Sequence, residues 1–136
     1  LRLCLSGAAP LSKGLQDKFE DLTGVPTAQG YGLTETSPVT NLDFGDASRR
    51  RSGSIGPPVA DTEEKIVAAD NGIDELPVRS SGELIIKGPQ VMNGYWRNPE
   101  ATAETVKEGW LYTGDLAWMD EDGYVYIVDR KKELIK

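Results

Sequence analysis

Histidine is absent from the 136 residues of the sequence. Its absence excludes a Ser-His-Asp triad, a Cys-His dyad and any zinc site with histidine ligands. Chemistry on this chain must therefore use carboxylates, hydroxyls, lysines, arginines and backbone amides. Cysteine is almost absent too: Cys4 stands alone and cannot form an internal disulfide, which favours a reducing, cytoplasmic location. Because Cys4 lies within an apolar run, we expect it to be a buried structural residue.

Basic residues are fewer than acidic ones, 15 against 22, and the net charge is −7. An acidic surface argues against binding nucleic acid or an anionic membrane, because both need a basic patch. No apolar run approaches the roughly 20 residues of a membrane span. The hydrophobic share of 38% and the charged share of 27% are typical of a globular domain and argue against a disordered chain.

Neither end of the sequence resembles a natural terminus. The chain opens without a methionine on the apolar run 1–5 and closes within an apolar and basic pattern at 134–136. A length of 136 residues suits one ordinary domain. We therefore expect the chain to be an internal piece of a longer protein.

The first 30 residues have the pattern of strand, helix and strand. Residues 1–5 are predicted to form a strand and residues 25–29 a second one. Between them, Ser12 is a plausible N-cap and Gly24 a plausible end of a helix whose apolar residues fall at helical spacing: Leu11, Leu15, Phe19 and Leu22. This order is typical of an α/β sheet, in which ligands bind just after such a strand.

The stretch 41–54 is polar and is predicted to be an exposed loop. Its three consecutive arginines, 49–51, could meet a phosphate, but a solvated loop is the better interpretation. A short helix is predicted from the N-cap Asn98 to about Val106, with Pro99 at its first position.

From residue 55 onward the pattern is otherwise that of β-structure. Turn signals at 70–72 and 121–123 are of the kind that close hairpins. Strands are predicted at 64–68, 82–87, 111–118 and 124–128. The predicted fold class is therefore α/β followed by mainly β, with the edge of an α/β sheet preceding a small distorted β-barrel or sandwich.

The densest chemical signal is the segment 29–36, with the sequence QGYGLTET. Two glycines flank Tyr31 directly after a predicted strand, and glycine lets the backbone approach a flat or charged ligand. The Tyr31 ring could lie on a base, the Thr34 hydroxyl could donate to a phosphate and the Glu35 carboxylate could hold Mg²⁺. A turn that uses glycines for geometry alone explains the spacing equally well.

Three other segments carry possible chemistry. The small residues 6–10 form a strand-to-helix turn that either admits a ligand or is simply tight. Asp115 ends the segment 112–115 at a strand-turn junction, where a fixed carboxylate could accept two hydroxyl hydrogen bonds. The charged run 129–133 follows the last predicted strand and suits a linker.

Together these segments resemble the adenylate-forming superfamily, which includes acyl- and aryl-CoA synthetases, luciferases and peptide-synthetase adenylation domains. The resemblance rests on five motifs in family order: SGAAPL, QGYGLTET, GELIIKGPQVMNGYWRNPEAT, GWLYTGD and DRKKELIK. It covers essentially the whole chain. The third and fifth motifs are most similar to those of fatty-acyl and aryl-CoA ligases.

The resemblance implies a two-step reaction that uses ATP, Mg²⁺ and CoA. A carboxylic acid, with a fatty acid favoured, attacks the α-phosphate of ATP to give acyl-AMP and pyrophosphate. The thiol of CoA then takes the acyl group. In-line displacement at phosphorus depends on positioning and charge neutralisation, so the absence of histidine is no obstacle.

The resemblance also implies roles for particular residues. Gly30, Gly32 and Leu33 border the acyl pocket, and Lys136 begins a C-terminal domain. The implied catalytic residues are Thr34 at the α-phosphate, Glu35 as the Mg²⁺ ligand, and Lys132 as the hinge. The implied cofactor-binding residues are Gly7, Ala8 and Ala9 at the adenine, Gly30, Tyr31 stacked on the adenine, Gly32, Thr34, Asp115 at the ribose hydroxyls, and Arg130 beside the ribose.

The predicted organisation has three parts: the end of an α/β subdomain at 1–52, a β-barrel-like subdomain at 53–128, and a hinge with the start of a further domain at 129–136. The family's phosphate loop and its C-terminal catalytic lysine are not in this sequence. We therefore expect little synthetase activity from this chain alone. Two alternatives remain open, a non-catalytic nucleotide-binding relative and a peptide-synthetase adenylation domain. The sequence does not specify the oligomeric state.

Overall fold

The computed structural model describes residues 1–9, 11–43 and 48–131. The strands are β1 (Cys4–Ser6), β2 (Thr27–Gly32), β3 (Val39–Leu42), β4 (Glu63–Val67), β5 (Gly82–Lys87), β6 (Val106–Lys107), β7 (Trp110–Met119) and β8 (Val125–Arg130). The helices are α1 (Lys13–Thr23) and α2 (Pro99–Thr105), with a 3-10 turn at Thr34–Thr36. None of the helices in these ranges is long and apolar enough to cross a membrane.

The first sheet has the order β1-β2-β3 and carries α1 in its crossover. β1 pairs with β2 in parallel, and β2 pairs with β3 in antiparallel fashion. The Ser12 Oγ caps α1 by accepting from the Leu15 amide at 3.3 Å, and the left-handed Gly24 ends it with a bond from its amide to the Glu20 carbonyl. The predicted helix and both of its signals are confirmed.

The predicted apolar stripe of α1 faces outward. Leu15, Phe19 and Leu22 are 58%, 36% and 76% exposed, whereas Gln16 is only 2% exposed. The Gln16 side chain reaches β2 and donates from Nε2 to the Thr27 carbonyl at 2.7 Å. Within the described residues the helix therefore contacts its sheet through a polar side chain, and its apolar side chains remain accessible.

The second sheet is antiparallel, with the order β4-β5-β7-β6 and with β8 also paired to β7. Its alternating side chains bury one face, which forms the main core of the described chain. The strand β5 is central, and its residues from Gly82 to Ile86 are buried on both faces. The core residues are Ile55, Ile66, Leu84, Ile86, Ala117 and Val125. The predicted mainly β half is confirmed as an open half-barrel, with β4 and β6 at the ends of the strand order.

Three predictions about local structure are corrected. Residues 39–42 form β3, whereas 41 and 42 were predicted to lie in a loop. Asn41 is accommodated in the strand because it is fully buried and donates hydrogen bonds to the Gly56 carbonyl and the Glu64 carboxylate. Such partners allow a polar residue within a sheet. The last strand continues to Arg130, two residues beyond its predicted end. Cys4 is only half-buried.

The arginine-rich segment is not a solvated loop. Arg50 forms an ion pair with Glu20 of α1 at 2.6 Å, and its side chain is 14% exposed. Arg51 pairs with Asp120 and Asp122 in the β7–β8 turn and lies over the ring of Tyr124 at 4.3 Å. The two arginines therefore tie the α1 side of the chain to the half-barrel, and this use of their charge is what the sequence interpretation missed.

The boundary predicted at residue 52 falls between the two sheets, yet the sheets are joined around it. Bridges connect Asn41 with Pro58 and Gly56 with Val125. The Ile55 amide also donates to the Val125 carbonyl at 2.9 Å. The division into subdomains at 1–52, 53–128 and 129–136 stays a prediction.

Glu64 introduces a carboxyl group at the junction of the two sheets. Its Oε2 accepts from Asn41 Nδ2 at 3.0 Å, but its buried Oε1 has no hydrogen-bond partner among the described residues. Burial raises the pKa of Glu64 to about 7, and the bond from Asn41 lowers it by less. The native chain therefore favours the neutral form of this group.

Replacing this group tests the consequence for stability. The pKa of Glu64 is higher in the native chain than in the unfolded chain. The free energy of unfolding should therefore fall by on the order of 3 kcal/mol as the pH rises from about 4.5 to 7. Glu64→Gln should match the parent chain near pH 5 and be more stable at pH 8. The measurement is the free energy of unfolding in urea at both pH values. Glu63→Gln, at the neighbouring exposed glutamate, is the matched control; an equal pH slope in all three chains would contradict the prediction.

Candidate functional site

A cavity of about 650 Å³ lies where β2, the start of α1 and strands β7 and β8 meet. Its volume is within the range of roughly 300–1,000 Å³ that is usual for small-molecule sites. Residues from both halves of the chain line it, including Tyr31 of β2 and Asp115 of β7. The cavity therefore exists only when the two sheets are joined.

The buried carboxylate of Asp115 is the polar centre of the cavity. Tyr31 donates from its hydroxyl to Asp115 Oδ2 at 2.5 Å, and Arg130 Nε lies 2.9 Å from Oδ1. Asp115 and Arg130 are register partners in the β7–β8 pair. The Asp115 side chain is 5% exposed, whereas that of Arg130 is 63% exposed. A buried acceptor beside an exposed cation suits hydroxyls and negatively charged groups on one ligand.

Tyr31 is held as a neutral hydrogen-bond donor. Burial is the largest effect that raises its pKa, followed by the hydrogen bond to Asp115 and the charge of that carboxylate. The ring also packs against the core of the half-barrel. The hydroxyl therefore joins β2 to β7 and fixes the ring edge at the cavity wall.

Small residues also line the cavity. Ala8 and Ala9 line the cavity after β1, and Ala8 adopts a left-handed φ of 65°. Gly30, Gly32 and Leu33 line it along and just after β2. Gly7 is not at the wall, but a Cβ built there would lie 3.4 Å from the Gly30 carbonyl oxygen. The chain between β1 and α1 is thus close to the glycine-rich strand.

The remaining predicted residues lie outside the cavity wall or outside the described chain. Thr34 is exposed and Glu35 half-buried in the 3-10 turn that follows Leu33. No group of three or more potential metal-ligating side chains occurs in the described ranges. The positions 132 and 136, predicted as hinge and domain start, lie beyond the last described residue.

Sequence reasoning missed two residues that shape the site. Gln29 is 6% exposed, and its amide group accepts from the Leu11 amide and donates to the Leu11 carbonyl, which holds the entry to α1 against β2. Tyr95 donates from its hydroxyl to Glu35 Oε1 at 2.7 Å. Gln29 opened the glycine-rich motif and could have been noticed there. Tyr95 gave no local signal, because 60 residues separate it from its partner.

A glycine-rich strand end, a buried carboxylate and an arginine around one cavity define a site for a small polar ligand. The chain belongs to the AMP-binding enzyme family, whose model matches residues 1–96. It is 47% identical over 135 residues to a long-chain-fatty-acid–CoA ligase of Bacillus subtilis (strain 168). It is 49% identical over 138 residues to a 4-coumarate–CoA ligase-like protein of Oryza sativa subsp. japonica. These alignments cover 99% and 100% of the chain.

The fold agrees with this assignment. ATP-bound MatB from Rhodopseudomonas palustris superposes with a TM-score of 0.88 at 36% identity, over 96% of this chain and 25% of that one. The two sequence relatives are covered over 24% and 25% of their lengths. The chain therefore spans about a quarter of the proteins that it matches, and the predicted resemblance to adenylate-forming enzymes is confirmed.

The glycine at position 32 offers a direct test of the site's geometry. A Cβ built on Gly32 would lie 1.7 Å from the Pro38 carbonyl oxygen, so Gly32→Ala must push β3 away from β2. We expect a loss of about 1–3 kcal/mol in the free energy of unfolding. Gly14→Ala is the control, because a Cβ there meets nothing within 4 Å and alanine favours a helix interior. Equal unfolding midpoints in denaturant for the two variants would refute this explanation of Gly32.

Proposed function

We propose that the chain forms the adenosine side of the active site in a longer, AMP-forming acid–thiol ligase. The observation that carries the proposal is the Tyr31–Asp115–Arg130 arrangement, which two joined sheets place on one cavity. Membership of the AMP-binding enzyme family and the names of the relatives support it. The activity belongs to the longer protein, because this chain spans only about a quarter of those relatives.

The geometry suggests how a nucleotide would be held. Asp115 presents a fixed acceptor for the two ribose hydroxyls, and Arg130 remains exposed enough to contact the ribose or a phosphate. Tyr31 would lie against the adenine, and Ala8 and Ala9, which line the same cavity, would border it. Gly30 and Gly32 allow the β2 backbone to approach the ligand. Hydrogen-bond donors and acceptors fixed before binding need little rearrangement during reaction.

Glu35 and Thr34 are proposed to act on the phosphates. Glu35 supplies a single carboxylate, and Mg²⁺ in nucleotide sites is commonly held by one or two carboxylates plus substrate phosphates and water. Glu35 suits that arrangement, because Oε1 accepts from Tyr95 while Oε2 has no hydrogen-bond partner among the described residues. When bound, Mg²⁺ would neutralise phosphate charge. The hydroxyl of Thr34 would donate to the α-phosphate.

The proposed chemistry has two balanced steps. A carboxylate oxygen attacks the α-phosphorus and the bond to pyrophosphate breaks, which gives acyl-AMP. The sulfur of CoA, as thiolate, then attacks the acyl carbon and AMP leaves. Lys132 is proposed as the hinge between the two steps, with a following domain that begins near Lys136. We expect this chain alone to be inactive.

The proposed substrate is an apolar carboxylic acid, with a fatty acid favoured. Relatives named as long-chain-fatty-acid–CoA ligases support the fatty acid, and a relative named as a 4-coumarate–CoA ligase-like protein, at 49% against 47% identity, makes an aryl acid the second candidate. We place the longer protein in the cytoplasm, because its single cysteine in this region is free.

The proposal is tested with ATP–pyrophosphate exchange by the longer protein against fatty, aryl and amino acids. Exchange should occur with one acid class and fall by about 100-fold or more in Glu35→Ala, because a metal-bridging charge is lost. Glu104→Ala, at an exposed glutamate of α2, should leave it unchanged.

Each outcome of the exchange assay separates the candidates. Exchange with amino acids would indicate a peptide-synthetase adenylation domain. A folded protein that binds ATP without any exchange would indicate a non-catalytic nucleotide-binding relative and would overturn the ligase proposal.

A further inference from the structure

Glu35 is held by a segment far from it in sequence. Its side-chain Oε1 accepts from the Tyr95 hydroxyl at 2.7 Å, and its backbone carbonyl accepts from the Met92 amide at 2.8 Å. The backbone bond locates the residue, and the side-chain bond selects where the carboxylate points. Among the described residues, Glu35 Oε2 has no protein hydrogen-bond partner.

Hydrogen bonds of Thr36 fix the turn that contains Glu35. Thr36 is fully buried, and its Oγ1 bonds to the Leu33 carbonyl at 3.0 Å and to the Pro38 carbonyl at 2.5 Å. The Leu33 amide also donates to Thr36 Oγ1 at 2.9 Å. Because the backbone is fixed on both sides of Glu35, its main remaining freedom is rotation of its own side chain, which is among the more flexible ones.

Tyr95 is fixed from the other side by α2. The Tyr95 amide donates to Thr102 Oγ1 at 2.9 Å, and that hydroxyl donates to the Asn98 carbonyl at 2.8 Å. Asn98 in turn caps α2. A Cβ on Gly94 would lie 2.7 Å from Thr102 Cγ2, so glycine permits this close approach. The capped helix therefore sets the position from which the tyrosine hydroxyl reaches Glu35.

We propose that Tyr95 is a positioning residue, which holds one oxygen of the Glu35 carboxylate so that the other is available to the metal–nucleotide complex. This inference rests on the proposed function of Glu35 and adds a residue from the half-barrel to it. A carboxylate whose rotamer is fixed before the ligand arrives loses less entropy on binding.

The state of the tyrosine is consistent with this role. Its hydroxyl donates its single proton to Glu35 Oε1. Tyr95 is 36% exposed and is not a core residue, so removal of its hydroxyl leaves no cavity in a core. Loss of the oxygen therefore isolates the hydrogen bond from packing.

The test uses the longer protein with Mn²⁺ as a probe and α,β-methylene-ATP as an unreactive nucleotide. Bound Mn²⁺ is measured from the loss of the free-ion EPR signal. Tyr95→Phe should raise the Kd for Mn²⁺ about 3- to 10-fold, the loss of one hydrogen bond. Tyr112→Phe is the matched control, because its hydroxyl also makes one bond, to the Gly72 carbonyl at 2.9 Å, outside the cavity wall.

A second measurement distinguishes positioning of the Glu35 carboxylate from a hydrogen bond that only stabilises the fold. In ATP–pyrophosphate exchange, excess Mg²⁺ should restore most of the rate of Tyr95→Phe, because the carboxylate is still present. The same excess should not restore Glu35→Gln. If Tyr95→Phe binds Mn²⁺ as tightly as the parent but melts at a lower temperature, the hydrogen bond only stabilises the fold, and the inference is overturned.

The Glu35→Gln variant distinguishes failure of the inference from failure of the proposed function. If Glu35→Gln weakens Mn²⁺ binding and Tyr95→Phe does not, the positioning role is wrong while the metal role of Glu35 stands. If Glu35→Gln binds Mn²⁺ as tightly as the parent, the metal role itself is wrong, and the positioning role falls with it.

Discussion

The buried carboxylate of Asp115 is the interaction on which the site depends. It lies on β7 of the half-barrel, yet it accepts a hydrogen bond from Tyr31 of the other sheet and pairs with Arg130 of β8. A carboxylate that is 5% exposed is costly unless both oxygens have partners. The two sheets and the last strand must therefore come together for this group to be satisfied, and the cavity forms around it.

Other charged groups reinforce the same junction. Arg50 and Arg51 reach in opposite directions from one segment, to Glu20 on α1 and to the β7–β8 turn. Bridges at Asn41 and Gly56 continue the contact through the backbone. Glu64 lies at this junction with one oxygen unsatisfied, which makes the contact between the sheets sensitive to its protonation. The ion pairs of such an interface add little net stability, because the cost of removing each charge from water offsets much of the attraction.

The half-barrel contributes more than a scaffold to the candidate site. It supplies Asp115 and Arg130 through paired strands and supplies Tyr95 through the turn before α2. The α/β part supplies the glycine-rich strand and the acidic turn. Because each half presents groups to the other, neither half holds the whole arrangement by itself. This division explains why the cavity is lined by residues as far apart in the sequence as Ala8 and Arg130.

Local patterns in the sequence determined the fold class, the helix from Ser12 to Gly24 and most of the β-strands, because caps, turns and alternation act between near neighbours. They also drew attention to Tyr31 and Asp115, and the family resemblance added Arg130; the structure brings the three side chains together. Only the tertiary structure decided that β3 is a strand, that the arginines are paired, and that Tyr95 contacts Glu35. The ion pairs of the arginines and the contact of Tyr95 join residues 30 or more positions apart, and β3 depends on its register with β2 and on the partners of Asn41. None of these contacts leaves a periodic pattern in the sequence.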